Sequence, residues 1–109
     1  MANARQAEAA LAYRRAVLVA LHDVDNALAV YRTDCTHRDA LSTALDTQQS
    51  AYDLARERYS KGFISFIAVL DAQRQLAQLK AQFVQAQTQV ETDLVALYKA
   101  LGGGWEDAA

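Results

Sequence analysis

The chain contains no proline, and before Gly102 it contains a single glycine, Gly62. Proline and glycine are the two residues that interrupt helices most strongly. A chain this poor in breakers has few places to turn, and Gly62 is the one available between its ends. The pattern predicts a helix over about 3–60, a turn over about 61–65, a second helix over about 66–101 and a tail over 102–109. The local chemistry agrees. Glycine enters the left-handed conformation that closes a helix C-terminus. Arg56, Arg58 and Lys61 crowd the last turn, where cations suit the negative end of the helix dipole. Glu57 and Lys61 are spaced for an i,i+4 ion pair. Ser65 is placed to cap the next helix, its hydroxyl accepting from a free backbone N–H. Two helices joined by so short a link fold back as an antiparallel hairpin. The fold class read from the sequence is therefore all-α, a long antiparallel helical hairpin of coiled-coil type.

Apolar spacing supports both helices. In the first, Ala7, Leu11, Leu18, Leu21, Val24, Leu28, Tyr31, Cys35, Leu45, Tyr52, Ala55 and Tyr59 recur mostly in steps of three and four, which places them on one face. The stripe is weakest between Thr36 and Thr43, where Arg38 and Ser42 fall on or near it. A local break is a possible outcome across the polar stretch from Thr33 to Asp39. In the second helix Val69, Leu76, Phe83, Val90 and Leu97 recur every seven residues. Leu79, Ala86, Leu94 and Leu101 fill the other seam positions, a heptad pattern that imposes left-handed supercoiling. Small alanines near the seam, Ala72 and Ala86, allow close approach of the backbones. Gln75, Gln78, Gln82, Gln85 and Gln89 form an exposed face. Gly102-Gly103-Gly104 is expected to end this helix, with Lys99 in its last turn and a loose tail apart from Trp105.

The remaining chemistry is sparse. Net charge is −2 over 109 residues, which leaves no electrostatic footprint for nucleic acid. No apolar run approaches the roughly 20 residues that span a bilayer, and MANARQAEAA lacks the apolar core of a signal peptide. These features describe a soluble chain without its own targeting segment, either a piece of something larger or a truncated product. His22, Cys35 and His37 resemble metal ligands, but Cys35 and His37 point about 200° apart on a helix and a structural zinc site needs four convergent ligands. The expectation is no metal and no cofactor, with the thiol in the seam and both histidines solvated. Asp23/Asp25, Asp46/Asp53 and Glu91/Asp93 read as a solvated face, because acid–base catalysis needs convergent groups in a water-poor pocket. No enzyme is expected.

The turn itself is unusual. Turns face water and are normally polar, yet Phe63, Ile64, Phe66 and Ile67 place four large apolar side chains within five residues. Either they fold back and plug the end of the hairpin, or they form a contact surface at its tip.

The run RYSKGFISFIAVLDAQ (58–73), followed by a long Gln/Ala-rich helix and LYKALGGGW, resembles the TolC-like outer-membrane efflux channel family, and most of all its OprM/NodT branch. The match is to the last part of the second of that family's two internal repeats, and is specific from about Ala55 to Trp105. The resemblance implies a trimer with a β-barrel in the outer membrane and a helical tunnel across the periplasm. Such channels export drugs, metals or small toxins with an inner-membrane pump and a periplasmic adaptor. It implies that this stretch is a hairpin of the tunnel wall, its turn at the periplasmic tip where the tunnel narrows and the adaptor docks. Tyr59, Gly62, Phe63, Ile64 and Ser65 then belong to the adaptor-binding tip, and Asp71 faces the pore constriction. Many relatives carry a second aspartate three residues after the capping serine or threonine, where this chain has Ala68. Some carry a gate arginine where it has Ile64, and an apolar residue where it has Lys61. Those departures imply closure by Phe63, Ile64 or Phe66 rather than by salt bridges. The rival reading is a generic coiled-coil interaction module, for which an apolar tip has no use.

Length carries one more expectation. At 1.5 Å per residue the two helices would be about 85 and 54 Å long, leaving roughly 30 Å of the first without a partner. That overhang holds Leu11, Tyr13, Val17, Leu18 and Leu21. Two helices bury little at this size, so self-association is expected, as an antiparallel dimer forming a four-helix bundle. A hinge at 33–39 that folds the chain into three helices is the alternative.

Overall fold

A computed structural model describes residues 2–106, with side chains described from 3 to 102. Two helices account for nearly all of it, α1 (Ala2–Ser60) and α2 (Phe66–Glu106). Among the described residues there is no strand. The chain is an antiparallel helical hairpin, and it divides into two compact units, residues 33–91 and residues 1–32 with 92–109.

The reversal is built as the residues around Gly62 dictate. Gly62 has φ +80°, the left-handed region that a side chain resists. Its N–H donates to the Tyr59 carbonyl at 3.0 Å, and the Phe63 N–H donates to the Arg58 carbonyl at 2.9 Å. This pair of bonds is the Schellman motif, and it satisfies carbonyls that the end of a helix would otherwise leave without donors. The Lys61 Nζ lies 3.0 Å from the Glu57 Oε1; both groups are well exposed, so the pair contributes only a few tenths of a kcal/mol. On the other side of the turn Ser65 precedes α2. The bond at this cap runs from the Ala68 N–H to the Ser65 backbone carbonyl at 3.2 Å, so the serine acts here through its main chain rather than its hydroxyl.

In the unit of residues 33–91 the core is a single seam. Val69, Leu76, Ala86 and Val90 are its buried apolar residues on α2, and Ala72, Leu79 and Phe83 are half-buried between them. From α1 the seam receives Cys35, Arg38, Ser42, Leu45, Gln49 and Tyr52, all half-buried and alternating in steps of three and four. Polar seam positions are matched across the hairpin. The Arg38 guanidinium reaches the Gln87 Oε1 at 3.5 Å, and the Gln48 amide donates to the Ala72 carbonyl at 3.4 Å. A side chain that can reach a carbonyl across the seam marks a place where the small Ala72 lets the helices come close.

In the other unit Val24, Ala27, Leu28 and Tyr31 are half-buried on α1, and Asp93, Leu97 and Ala100 turn inward on α2. Every described side chain from 3 to 23 is exposed, including Leu11, Leu18 and Leu21 at 60%, 65% and 57%. The stripe begun there by the sequence pattern continues into a contact only at Val24. The difference in length explains this, since α1 has 59 residues and α2 has 41.

Four expectations are corrected. Leu94 and Leu101 are exposed, and Asp93 and Ala100 take the seam instead; Asp93 is 6% exposed rather than solvated. From Val90 the alternation of three and four leads to 93, 97 and 100. Backbone register therefore decided against the larger apolar side chains one residue on. Nor does α1 break at 33–39: it is continuous through Arg38 and Ser42, and the arginine pairs with the adjacent Asp39 carboxylate at 3.1 Å as well as reaching Gln87. The compact three-helix alternative falls with that break. Finally, α2 runs through the glycines to Glu106. Glycine weakens a helix but does not forbid it, and only a left-handed residue would force an end here. Residues 107–109 of the expected tail, and the side chain of Trp105, lie outside the described residues.

The conformation at Gly62 gives a test. A Cβ there would meet no atom within 4 Å, so substitution costs backbone strain and not a clash. Gly62→Val is expected to lower stability by roughly 1 kcal/mol or more, and Gly62→Asn by much less, measured by urea denaturation. Equal stability of Gly62→Val and the parent would contradict the left-handed closure.

Candidate functional site

The tip gathers the residues that the sequence singled out, and most of them face water. Phe63 is 75% exposed, Phe66 52%, and Ile67 69%. Ile64 is half-buried, while Gly62 and Ser65 are exposed. The reason for the exposure of Phe63 is local. In a Schellman closure the residue after the glycine rests against the helix one turn back, and here that turn presents Arg58 and Glu57, which offer only the methylene stems of charged side chains. Phe66 finds one partner, Tyr59, with ring centroids 5.3 Å apart and planes tilted by 50°. Folding back therefore accounts for part of Ile64 and for one contact of Phe66, and leaves the rest as open apolar surface.

Beside this surface lies a shallow groove lined by Tyr52, Arg56, Tyr59, Phe66, Val69 and Gln73. The Arg56 guanidinium sits 5.7 Å from the centre of the Tyr52 ring, a cation–π distance. The groove thus combines aromatic walls with one cation. Asp71, exposed, follows on the first turns of α2. Cys35 is half-buried in the seam, and His22 and His37 are exposed.

A further feature was not read from the sequence. In the unit of residues 33–91, α2 carries a second stripe of exposed apolar and small residues: Ile67, Leu70, Ala77, Ala81 and Val84. Each stands two residues before a seam position, which on an α-helix is about 200° around the axis. Thr88 extends the stripe, and its hydroxyl donates to the Val84 carbonyl at 3.0 Å, so it presents its methyl outward. Thr43 and Thr47 of α1 turn their hydroxyls back onto their own helix in the same way. Helix α2 is therefore apolar on two nearly opposite faces. The signal was present as the same heptad offset by two, but Arg74 interrupts it and alanines dilute it.

A family model described as "Outer membrane efflux protein" matches residues 1–103. The chain belongs to the outer membrane efflux protein family. It is 38% identical, over 97% of its length, to the pyoverdine export outer membrane protein OpmQ of Pseudomonas putida. It is 36% identical, over 87% of its length, to the toluene efflux pump outer membrane protein TtgF of Pseudomonas putida. Over 98% of its length it is 35% identical to the outer membrane protein OprJ of Pseudomonas aeruginosa. The chain spans between 20% and 23% of the length of these relatives. No solved structure matches it significantly. Among the described residues no helix is long and apolar enough to cross a membrane.

If the tip surface is held for contact and not for folding, the two classes of apolar residue will separate on mutation. Leu76→Ala, in the seam, is expected to cost about 2–3 kcal/mol. Phe63→Ala is expected to stay within about 0.5 kcal/mol of the parent. Denaturant titration of both variants checks this, and a loss above 1 kcal/mol at Phe63 would mean that the tip side chain stabilises the fold.

Proposed function

We propose that this chain is a wall segment of the periplasmic helical tunnel of an outer-membrane efflux channel, with its turn at the tunnel's periplasmic tip. The observation that carries the reading is the pair of opposite apolar faces on α2. A helix on the surface of a globular domain has one apolar face, and a helix at the centre of a bundle is apolar all round. A helix apolar on two opposite faces and polar between them suits a single layer of helices with water on both sides. α1 supplies the neighbour on one side. The other neighbour comes from elsewhere in a channel of which this chain is less than a quarter by its relatives' length. The assembled channel is a trimer in this reading.

The channel works with a periplasmic adaptor and an inner-membrane pump, and its role is transport, not catalysis. Its cargo is drugs or other small toxic compounds; one relative is named for the efflux of toluene and another for the export of pyoverdine. Tyr59, Gly62, Phe63, Ile64 and Ser65 form the surface on which the adaptor docks, and Asp71 faces the constriction. With Ala68 and Ile64 where an acid and a base would build a charged gate, the closed tip is held by apolar side chains. A generic coiled-coil spacer accounts for the seam, but it leaves Phe63 exposed to no purpose.

In the full-length channel, Phe63→Asp is expected to weaken crosslinking to the adaptor and to reduce export, while the channel still assembles. Normal export with aspartate at position 63 would remove the docking role. In isolation, another copy of this chain covers the Leu11–Leu21 stripe, giving an antiparallel dimer as a four-helix bundle. Sedimentation equilibrium should then show a mass above the monomer that falls on dilution and with Leu18→Asp. A cooperatively melting monomer at every concentration would contradict the dimer.

A further inference from the structure

Between its two apolar faces α2 has two polar flanks, and they differ. One carries Asp71, Gln75, Gln78, Gln82, Gln85 and Gln89, all exposed and spaced by alternating steps of four and three. At 1.5 Å per residue this lane is about 27 Å long. Its amides donate and accept hydrogen bonds without carrying charge. Solvated helix faces normally carry charged as well as neutral polar residues. Here the charged residues of α2 that lie between Asp71 and Gln89 are Arg74 and Lys80, and both are displaced to other faces. Arg74 interrupts the second apolar stripe. Lys80 lies on the opposite flank with Phe66, Gln73 and Gln87, and Gln87 is engaged by Arg38 of α1. Of the two polar flanks, only the one with Lys80 carries a charge between residues 72 and 89.

We infer that this glutamine lane lines the conduit, and that beyond Asp71 it passes solutes without sorting them by charge. The inference rests on the wall reading and on Asp71 at the constriction. The lane continues from Asp71 along the same side of the helix, so whatever Asp71 faces, the glutamines face. A ring of fixed charges in a narrow aqueous path holds counter-ions and repels solutes of like charge. A ladder of amides hydrogen-bonds in passing to polar organic solutes of either sign. The lane therefore suits hydrated or amphiphilic small organic molecules, cationic, anionic or neutral. It leaves Asp71 as this helix's one charge filter over that length.

The test uses the full-length channel in planar bilayers, with Cys35→Ser as background. Gln78→Cys, Gln85→Cys and Lys80→Cys are each treated with cationic and anionic methanethiosulfonates, and mass spectrometry verifies that each thiol has reacted. Single-channel conductance is expected to fall at 78 and 85 and to hold at 80. A fall at 80 alone, or at all three, overturns the lane and leaves the wall reading standing. No fall at any of them overturns both, because the chain then lines no conduit. In a salt gradient, Gln82→Lys is expected to shift the reversal potential toward anion permeation. An unchanged potential would overturn the charge-neutral role.

Discussion

The structure depends on the register in which two helices meet, and that register is set at the turn. The Schellman bonds around Gly62 stop α1 at Ser60, and the carbonyl of Ser65 starts α2 at Phe66. From there Val69, Leu76 and Val90 fall on one line, and each finds α1 residues spaced in the same alternation. A shift by one residue would turn charged and amide side chains into the seam. Two polar contacts cross the seam in this register, Arg38 to Gln87 and Gln48 to the Ala72 carbonyl. They are weak individually.

The same register leaves the hairpin thin. Among the described residues no side chain is wholly buried, and large apolar groups stand exposed at the tip, along the outer face of α2 and over the first turns of α1. A globular domain would cover such groups with a third layer. The described residues hold no third layer, and in the proposed wall neighbouring helices would supply the cover. Membership of the outer membrane efflux protein family and the short span relative to its relatives fit that picture. In the proposed wall, the two opposite apolar faces of α2 suit a helix set in a row. One polar flank without fixed charge, ending in Asp71, makes one side of that row different from the other.

Much of this was legible in the sequence, because a chain without proline offers so few alternatives. The reversal, the Glu57–Lys61 pair and the heptad of Val69, Leu76, Phe83 and Val90 could be read directly. What could not be read shares one cause. Leu94 and Leu101 are the more apolar candidates, and only the geometry of the helix favours Asp93 and Ala100. The glycines at 102–104 are weak helix formers, but weakness does not determine where a helix ends. Arg38 reads as a weak point in the stripe, because the seam contact that it makes is to Gln87, 49 residues away on α2. The second stripe was masked by its alanines, whose small side chains mean little until their neighbours are known.

A wall of helices requires the outer face of α2 to be covered in the assembled channel. This requirement is tested most directly by thiol reactivity of the full-length protein in its membrane, with cysteine placed at Leu70 or Val84 and, for comparison, at Lys80. The account predicts slow modification at 70 and 84 by a water-soluble maleimide and fast modification at 80. Equal, fast modification at all three positions would mean that nothing packs against that face, and would contradict the placement of this hairpin in a wall of helices.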